Sequence, residues 1–220
     1  MDIKIPYTPR KHQSFLHNQI SKHRWSVLVC HRRFGKTVCM INHLIRSALL
    51  SKQKNPRYAY ISPTFKQSKS IAWDYMKQFT NKIPYIKFNE TELRVDLPNG
   101  ARITLLGSEN SDGLRGIYLD GCVIDEYANV HSKLFPEIIR PALSDRKGYC
   151  VFIGTPQGMN NNFYELYQHA QGADDWFNYK AKASDTKIVD EDELVKAKEV
   201  MGEKKYLQEF ECDWIANIEG

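Results

Sequence analysis

The chain has 220 residues, 42% of them hydrophobic, with five cysteines and a formal net charge of +5. That length suits one domain with a sizeable buried core and excludes a disordered chain. No run reaches the roughly 18 uninterrupted apolar residues of a membrane-spanning helix, and the start, MDIKIPYTPRKHQ, lacks the apolar core of a secretory signal, so an intracellular protein is expected.

The charge is unevenly spread. Residues 1–80 carry 15 Lys/Arg against Asp2 and Asp74, a balance of +13, whereas residues 81–220 carry 16 against 24, a balance of −8. A basic half attracts phosphate, as free nucleotide or as nucleic-acid backbone, although a lysine-rich solvated face gives the same count. Cys30, Cys39, Cys122, Cys150 and Cys212 form no CxxC pair. Three of them lie in or beside apolar runs, so buried free thiols are expected in place of disulfides or zinc ligands.

In chain order, a short helix is expected around Gln13, then WSVLVC (25–30) as an apolar strand. A helix follows, with Val38, Ile41, Leu44, Ile45, Ala48 and Leu49 on one face. YAYIS (58–62) reads as a strand ended by Pro63, and a helix fills 66–80. LRVDL (93–97) and ARITLL (101–106) flank the loop Pro98-Asn99-Gly100 as a hairpin. GCVID (121–125) and YCVFIG (149–154) are two more short strands. Strands apolar on both faces and separated by helices predict an α/β fold, a mostly parallel central sheet with helices on both sides and the hairpin as an antiparallel flank. Residues 160–170 read as a helix, 176–182 as a strand and 191–200 as a helix capped by Asp190. Tyr206, Phe210 and Trp214 recur every four residues as one helix face. The expected organisation is a core over 1–171 and a small acidic lid over 172–220.

The segment CHRRFGKT (30–37) lies between the first strand and the first long helix. This is the context in which G-x-x-x-x-G-K-[ST] has a physical meaning, because the turn aims backbone N–H groups and a helix N-terminus at an anion. Gly35 lets the backbone approach phosphates, Lys36 is expected on the β and γ phosphates and Thr37 on Mg²⁺. Cys30 stands where the pattern has its first glycine. Two arginines inside such a loop call for an anion to pair with. Arg32 is read as stabilising charge in the transition state, and Arg33 is grouped with the nucleotide-binding residues, its own role and that of His31 left open.

GCVIDEYA (121–128) puts Asp125 and Glu126 at the end of an apolar strand. Asp125 is expected to serve Mg²⁺ and Glu126 to orient and deprotonate the attacking water. Adjacent carboxylates in such a run each need a partner; an acidic pair capping a helix near Asn129 is the plainer reading. Thr155, after a further strand, is either a γ-phosphate sensor or part of a turn. Gln13 has an amide suited to an adenine edge.

These segments resemble those of one family. CHRRFGKT, with arginine three places before the glycine, is similar to the variant Walker A motif of tailed-phage terminase large subunits, VIDEYA to their Walker B motif, and GTP (154–156) to their coupling motif. TPRKHQ (8–13) resembles the adenine-binding segment, YISPTFKQS (60–68) the segment after the first helix, DGLRG (112–116) the arginine segment, and YLQEFECDW (206–214) the end of the ATPase region. The resemblance implies a P-loop NTPase of the ASCE type that uses ATP and Mg²⁺ to drive double-stranded DNA into a procapsid. It implies Gln13 for adenine, Arg32 as a cis-acting arginine, Thr155 for coupling and Arg115 as a finger acting on a neighbouring subunit. The implied partners are DNA through its phosphates, a homo-oligomeric ring (a pentamer) on a portal, and a small terminase subunit, in the host cytoplasm and without a membrane. Cys30 departs from the family's small residue at that position. The family's nuclease half has no room after Trp214, so no DNA cutting is expected. Other readings of the same motifs are a superfamily 2 helicase-like core, a nucleotide-binding module without hydrolysis, and a basic DNA-binding module whose loop is incidental.

Overall fold

The computed structural model describes residues 3–215, apart from the side chains of residues 111–113. Helix α1 (Lys11–Ile20) leads into strand β1 (Trp25–Cys30), all six of whose residues are buried. Helix α2 (Lys36–Leu50) follows, and its apolar spacing puts Ile41, Leu44, Ile45 and Ala48 against the sheet. Then come β2 (Arg57–Ser62), the short α3 (Phe65–Gln67), a π-helical turn (Ser68–Ala72) and α4 (Trp73–Thr80). The flank is β3 (Lys87–Asn89), β4 (Arg94–Asp96) and β5 (Arg102–Gly107). After β6 (Gly121–Ile124), a π-helical segment (Leu134–Ile139) runs into α5 (Arg140–Ala142). The chain continues with β7 (Tyr149–Gly154), α6 (Asn162–Ala170), β8 (Trp176–Ala181), α7 (Ala183–Thr186), α8 (Glu191–Met201) and α9 (Glu203–Glu209).

The eight strands form one sheet in the order β3-β4-β5-β2-β6-β7-β1-β8. β5, β2, β6, β7, β1 and β8 run parallel, and β4 pairs antiparallel with both β5 and β3. The expected fold class holds. Because each central strand faces helices on both sides, two cores form, one over each face. The first joins Leu28, Tyr60 and Ile103 to α1, α2 and α4. The second joins Val27, Ile61 and Phe152 to the 127–143 segment and α6. The hairpin turns at Pro98–Gly100, where Gly100 takes φ +84°, a left-handed backbone that glycine adopts without strain. All five cysteines are buried and free, and Cys122 and Cys150 face each other across β6 and β7 at 3.4 Å.

Three expectations are corrected. β8 pairs in parallel with β1, so the sheet extends past the boundary drawn at 171/172. Of the expected 172–220 unit, only residues 183–215 lie beyond the sheet, and 216–220 fall outside the described residues. The periodic face of Tyr206, Phe210 and Trp214 does not continue as one helix: α9 ends at Glu209 and Cys212 turns with φ +53°. Trp214 packs instead on Phe163, Tyr164 and Tyr167 of α6, with ring centroids 5.2–5.7 Å away. The helix expected over 66–80 is interrupted by the π-helical turn.

Candidate active site

The parallel strands end on one edge of the sheet, and the loops leaving β1, β6 and β7 meet there. Between β1 and α2, Arg33 (φ +70°) and Gly35 (φ +88°) take left-handed backbone, which curls residues 31–35 into a nest of main-chain groups. Phe34 is fully buried and fixes the loop to the core, while Arg32 and Arg33 are exposed. The Lys36 ammonium lies over the start of the loop and donates to the carbonyls of Cys30 (2.9 Å) and His31 (3.1 Å). Cys30, which replaces the pattern's first glycine, is buried. Gln13 sits against the loop from α1. Its Nε2 donates to the Gly35 carbonyl at 3.3 Å, and its Oε1 accepts the Arg10 N–H at 2.9 Å.

Elements that the sequence did not connect to the loop also hold it. The N–H of His31 donates to the Ala181 carbonyl at the end of β8 (3.0 Å), and the N–H of Arg32 donates to the Glu209 carbonyl in α9 (2.7 Å). His31 is fully buried with Nε2 2.8 Å from the Thr186 hydroxyl. Burial lowers its pKa, against the hydrogen bond to the Arg32 carbonyl.

Asp125 and Glu126 follow β6 directly. The Asp125 N–H donates to the Ile61 carbonyl at 2.7 Å, extending the pairing of β6 with β2 by one residue. Its side chain is buried. Oδ1 accepts the Glu126 N–H at 2.8 Å, and Oδ2 accepts the hydroxyl of Tyr60 on β2. Thr37 is the second residue of α2. Glu126 takes left-handed backbone (φ +47°). Burial and then the charge of Asp125 push its carboxyl up to about 7, against the pull of Lys36 and Arg32. Burial also raises Asp125, opposed by Tyr60 and Lys36. A carboxyl raised to about 7, that of Glu126, suits proton transfer at the pH of a cell. Thr37 and Asp125 supply a hydroxyl and a carboxylate, the hard oxygen donors that Mg²⁺ takes, and Tyr60 joins them, so the residues fit that ion.

Thr155 is buried just beyond β7, where the register sets Gly154 beside Val29 and hence close to the phosphate loop. The next residues are tied to α9, because the buried Gln208 amide donates to the Pro156 carbonyl at 2.6 Å and to Gln157 Oε1 at 3.2 Å. Arg115 stands apart from this group. It is exposed in the connection that leaves β5, and β2, β6 and β7 lie between β5 and β1. Sequence reasoning missed Tyr60 and Gln208. The position of Tyr60 one residue before Ile61-Ser62 at a strand end carried a signal, but Gln208 carried none.

Residues 29–219 match the family described as terminase large subunit, T4-like-virus type, N-terminal. The chain belongs to this family. The terminase large subunit of Thermus virus P23-45 is 25% identical over 182 residues, covering 74% of this chain and 36% of that protein. The terminase large subunit of Thermus phage G20c is 40% identical over 60 residues, 27% of this chain and 12% of that protein. The chain therefore spans about a third of the length of the first of these relatives. Among solved structures, the large terminase ATPase domain of Thermus phage P74-26 superposes with a TM-score of 0.80 at 20% identity over 96% of both chains. A large terminase from another thermophilic bacteriophage, solved in complex with ADP, gives 0.79 at 14% identity over 93% of this chain and 53% of that one. At these identities the structures support the terminase fold. The phosphate loop, the acidic pair and Thr155 of this terminase domain all fall within the matched residues.

Proposed function

We propose that this terminase domain hydrolyses ATP and that hydrolysis drives double-stranded viral DNA into a procapsid. The observation that carries the reading is the meeting, on one edge of the sheet, of an anion-binding loop with a half-buried carboxylate raised to about 7. Lys36 would leave the loop carbonyls for the β and γ phosphates, whose charge replaces two neutral partners. Gln13 keeps a second N–H and one further lone pair on Oε1, enough to read an adenine edge while its present bonds stay in place. Glu126 would take the proton of a water as the water's oxygen bonds to the γ-phosphorus and the bond to the bridging oxygen breaks, releasing ADP. Thr37 and Asp125 would hold Mg²⁺, which when bound neutralises phosphate charge.

Arg32, exposed at the loop, would stabilise the equatorial phosphate oxygens, and Arg33 beside it would bind nucleotide. Thr155 would couple the γ-phosphate to the Pro156–Gln208 contact, and residues 183–215 would act as the lid. Arg115 would serve a neighbouring subunit in a ring, a pentamer by family resemblance, seated on a portal and fed by a small terminase subunit in the host cytoplasm. This part of the protein is proposed to cut no DNA. Among the described residues no helix is long and apolar enough to cross a membrane. The deciding experiment is steady-state ATP hydrolysis by the chain and by Lys36→Ala. Turnover that persists at the parent rate in Lys36→Ala would remove the site from the reaction.

A further inference from the structure

We propose that Tyr60 is the positioning residue that fixes Asp125 for its cation, an inference that rests on reading this site as one for Mg²⁺ and nucleotide. Tyr60 is buried in β2, on the sheet face that α2 covers. Its hydroxyl donates to Asp125 Oδ2 while the Glu126 N–H holds Oδ1, so the carboxylate is gripped at both oxygens and cannot rotate. Each oxygen keeps a lone pair for a cation or for one of its waters. The hydroxyl comes from β2 and the carboxylate follows β6, so the contact ties two neighbouring strands together at the group assigned to the cation. A Tyr hydroxyl buried at the end of an apolar strand needs a partner, and the partner here is a carboxylate that burial would otherwise leave loose. Outer partners of this kind, when removed, weaken metal binding about 10–100-fold.

The test is a Mg²⁺ titration of the binding of a fluorescent non-hydrolysable ATP analogue, which reads the cation without turnover. Tyr60→Phe keeps the ring and removes the hydroxyl. The Mg²⁺ midpoint is expected to rise about tenfold or more, while analogue binding in EDTA stays at the parent level. In an Asp125→Asn background, Tyr60→Phe is expected to add nothing, because the two residues act as a unit. Tyr60→Met, which also fills the space without donating, repeats the measurement if the Phe variant fails to fold. An unchanged midpoint in either folded variant overturns the proposal, as does a shift of full size in the Asp125→Asn background. A parent chain that binds no analogue at any Mg²⁺ concentration overturns the nucleotide reading and this inference with it. Normal Mg²⁺-dependent binding in the parent together with an unmoved midpoint in the variants overturns this inference alone.

Discussion

The main-chain N–H of Arg32 donates to the carbonyl of Glu209 at 2.7 Å, so α9 grips the first turn of the loop between β1 and α2. One residue earlier in the same helix, the amide of Gln208 holds the Pro156 carbonyl, and Pro156 follows Thr155. The two contacts bring α9, the phosphate loop and the β7 exit into a single hydrogen-bonded unit.

Gln208→Ala should loosen that unit. It leaves the buried Pro156 carbonyl without its donor, and a buried group so orphaned costs about 1–3 kcal/mol. A loss of that size is expected in urea unfolding. Nucleotide binding should weaken less than turnover, because Lys36 and Gly35 are untouched.

Glu126→Gln should keep nucleotide binding and lower turnover by roughly 10²–10⁴-fold, the usual range for a lost general base. Lys36→Ala should weaken binding as well as turnover. Hydrolysis by Glu126→Gln at the parent rate would transfer the proton-accepting role to another group.

Arg115 is tested by mixing. On the proposed roles, Lys36→Ala would have a dead site with an intact finger, and Arg115→Ala an intact site without one. Where subunits associate, the mixture should regain part of the activity that each protein lacks alone. Fingers of this kind contribute on the order of 10³–10⁵ in turnover. No recovery in a mixture shown to associate, or full activity of Arg115→Ala as a dilute monomer, would show that the arginine plays no such part.

Stability should respond to acid through a pair of histidines far from the chemistry. His17 and His43 stack between α1 and α2 with Nδ1 atoms 3.0 Å apart, facing Tyr7, Cys39, Arg46 and Tyr149. Burial lowers their pKa values to about 4 and about 3, with Arg46 adding to the effect. Between the usual 6.5 and these values the unfolded chain binds more protons than the folded one, so this contribution is intact above about 6.5 and lost as pH falls towards 4. Glu126 works in the opposite sense, since its carboxyl is raised in the fold. The histidine share is therefore the difference between parent and His17→Gln/His43→Gln. The drop in Tm from pH 7 to pH 5 should be smaller in the double variant, by several degrees. Equal drops would show that the pair is not the acid-sensitive element.

On the proposed function, DNA should be held through its phosphates, because residues 1–80 carry +13 and a motor that packages DNA would have to accept any sequence. Arg32, Arg33 and Lys36 are assigned to nucleotide in the proposed function and are discounted. Affinity should fall steeply with salt and vary little with sequence, as filter binding across 50–200 mM salt would record. Binding that depends on sequence and ignores salt would point to base contacts instead.

The parts of this molecule legible in the sequence are those encoded by adjacent residues. WSVLVC, GCVID and YCVFIG are strands because short apolar runs bury on both faces, and the loop between β1 and α2 follows from a glycine and a lysine at a strand–helix junction. What escaped is what depends on distant pairing. β3 is three residues, KFN, with too little apolar pattern to register, and exists because β4 offers it an edge. β8 was visible as a strand, but only its pairing with β1 makes it part of the sheet. Trp214 keeps the helical spacing of Tyr206 and Phe210, yet α6 captures it. At the site, Lys36 and Glu126 stand in continuous motifs, whereas Tyr60 and Gln208 matter through partners 65 and 52 residues away.

The five buried cysteines make the native protein nearly blind to thiol reagents. Burial pushes Cys39 and Cys212 up to about 12, and Cys30 and Cys150 upward as well, so few thiolates exist at neutral pH even where a reagent could approach. A single cysteine placed at Tyr85, 84% exposed, or at Val200 on α8, 88% exposed, would then take a fluorophore almost alone. The wild-type sulfurs can stay in place, and with a cysteine at each of the two positions, both labelled, the distance between the β3 flank and α8 can be followed by optical means through a cycle of nucleotide addition and release.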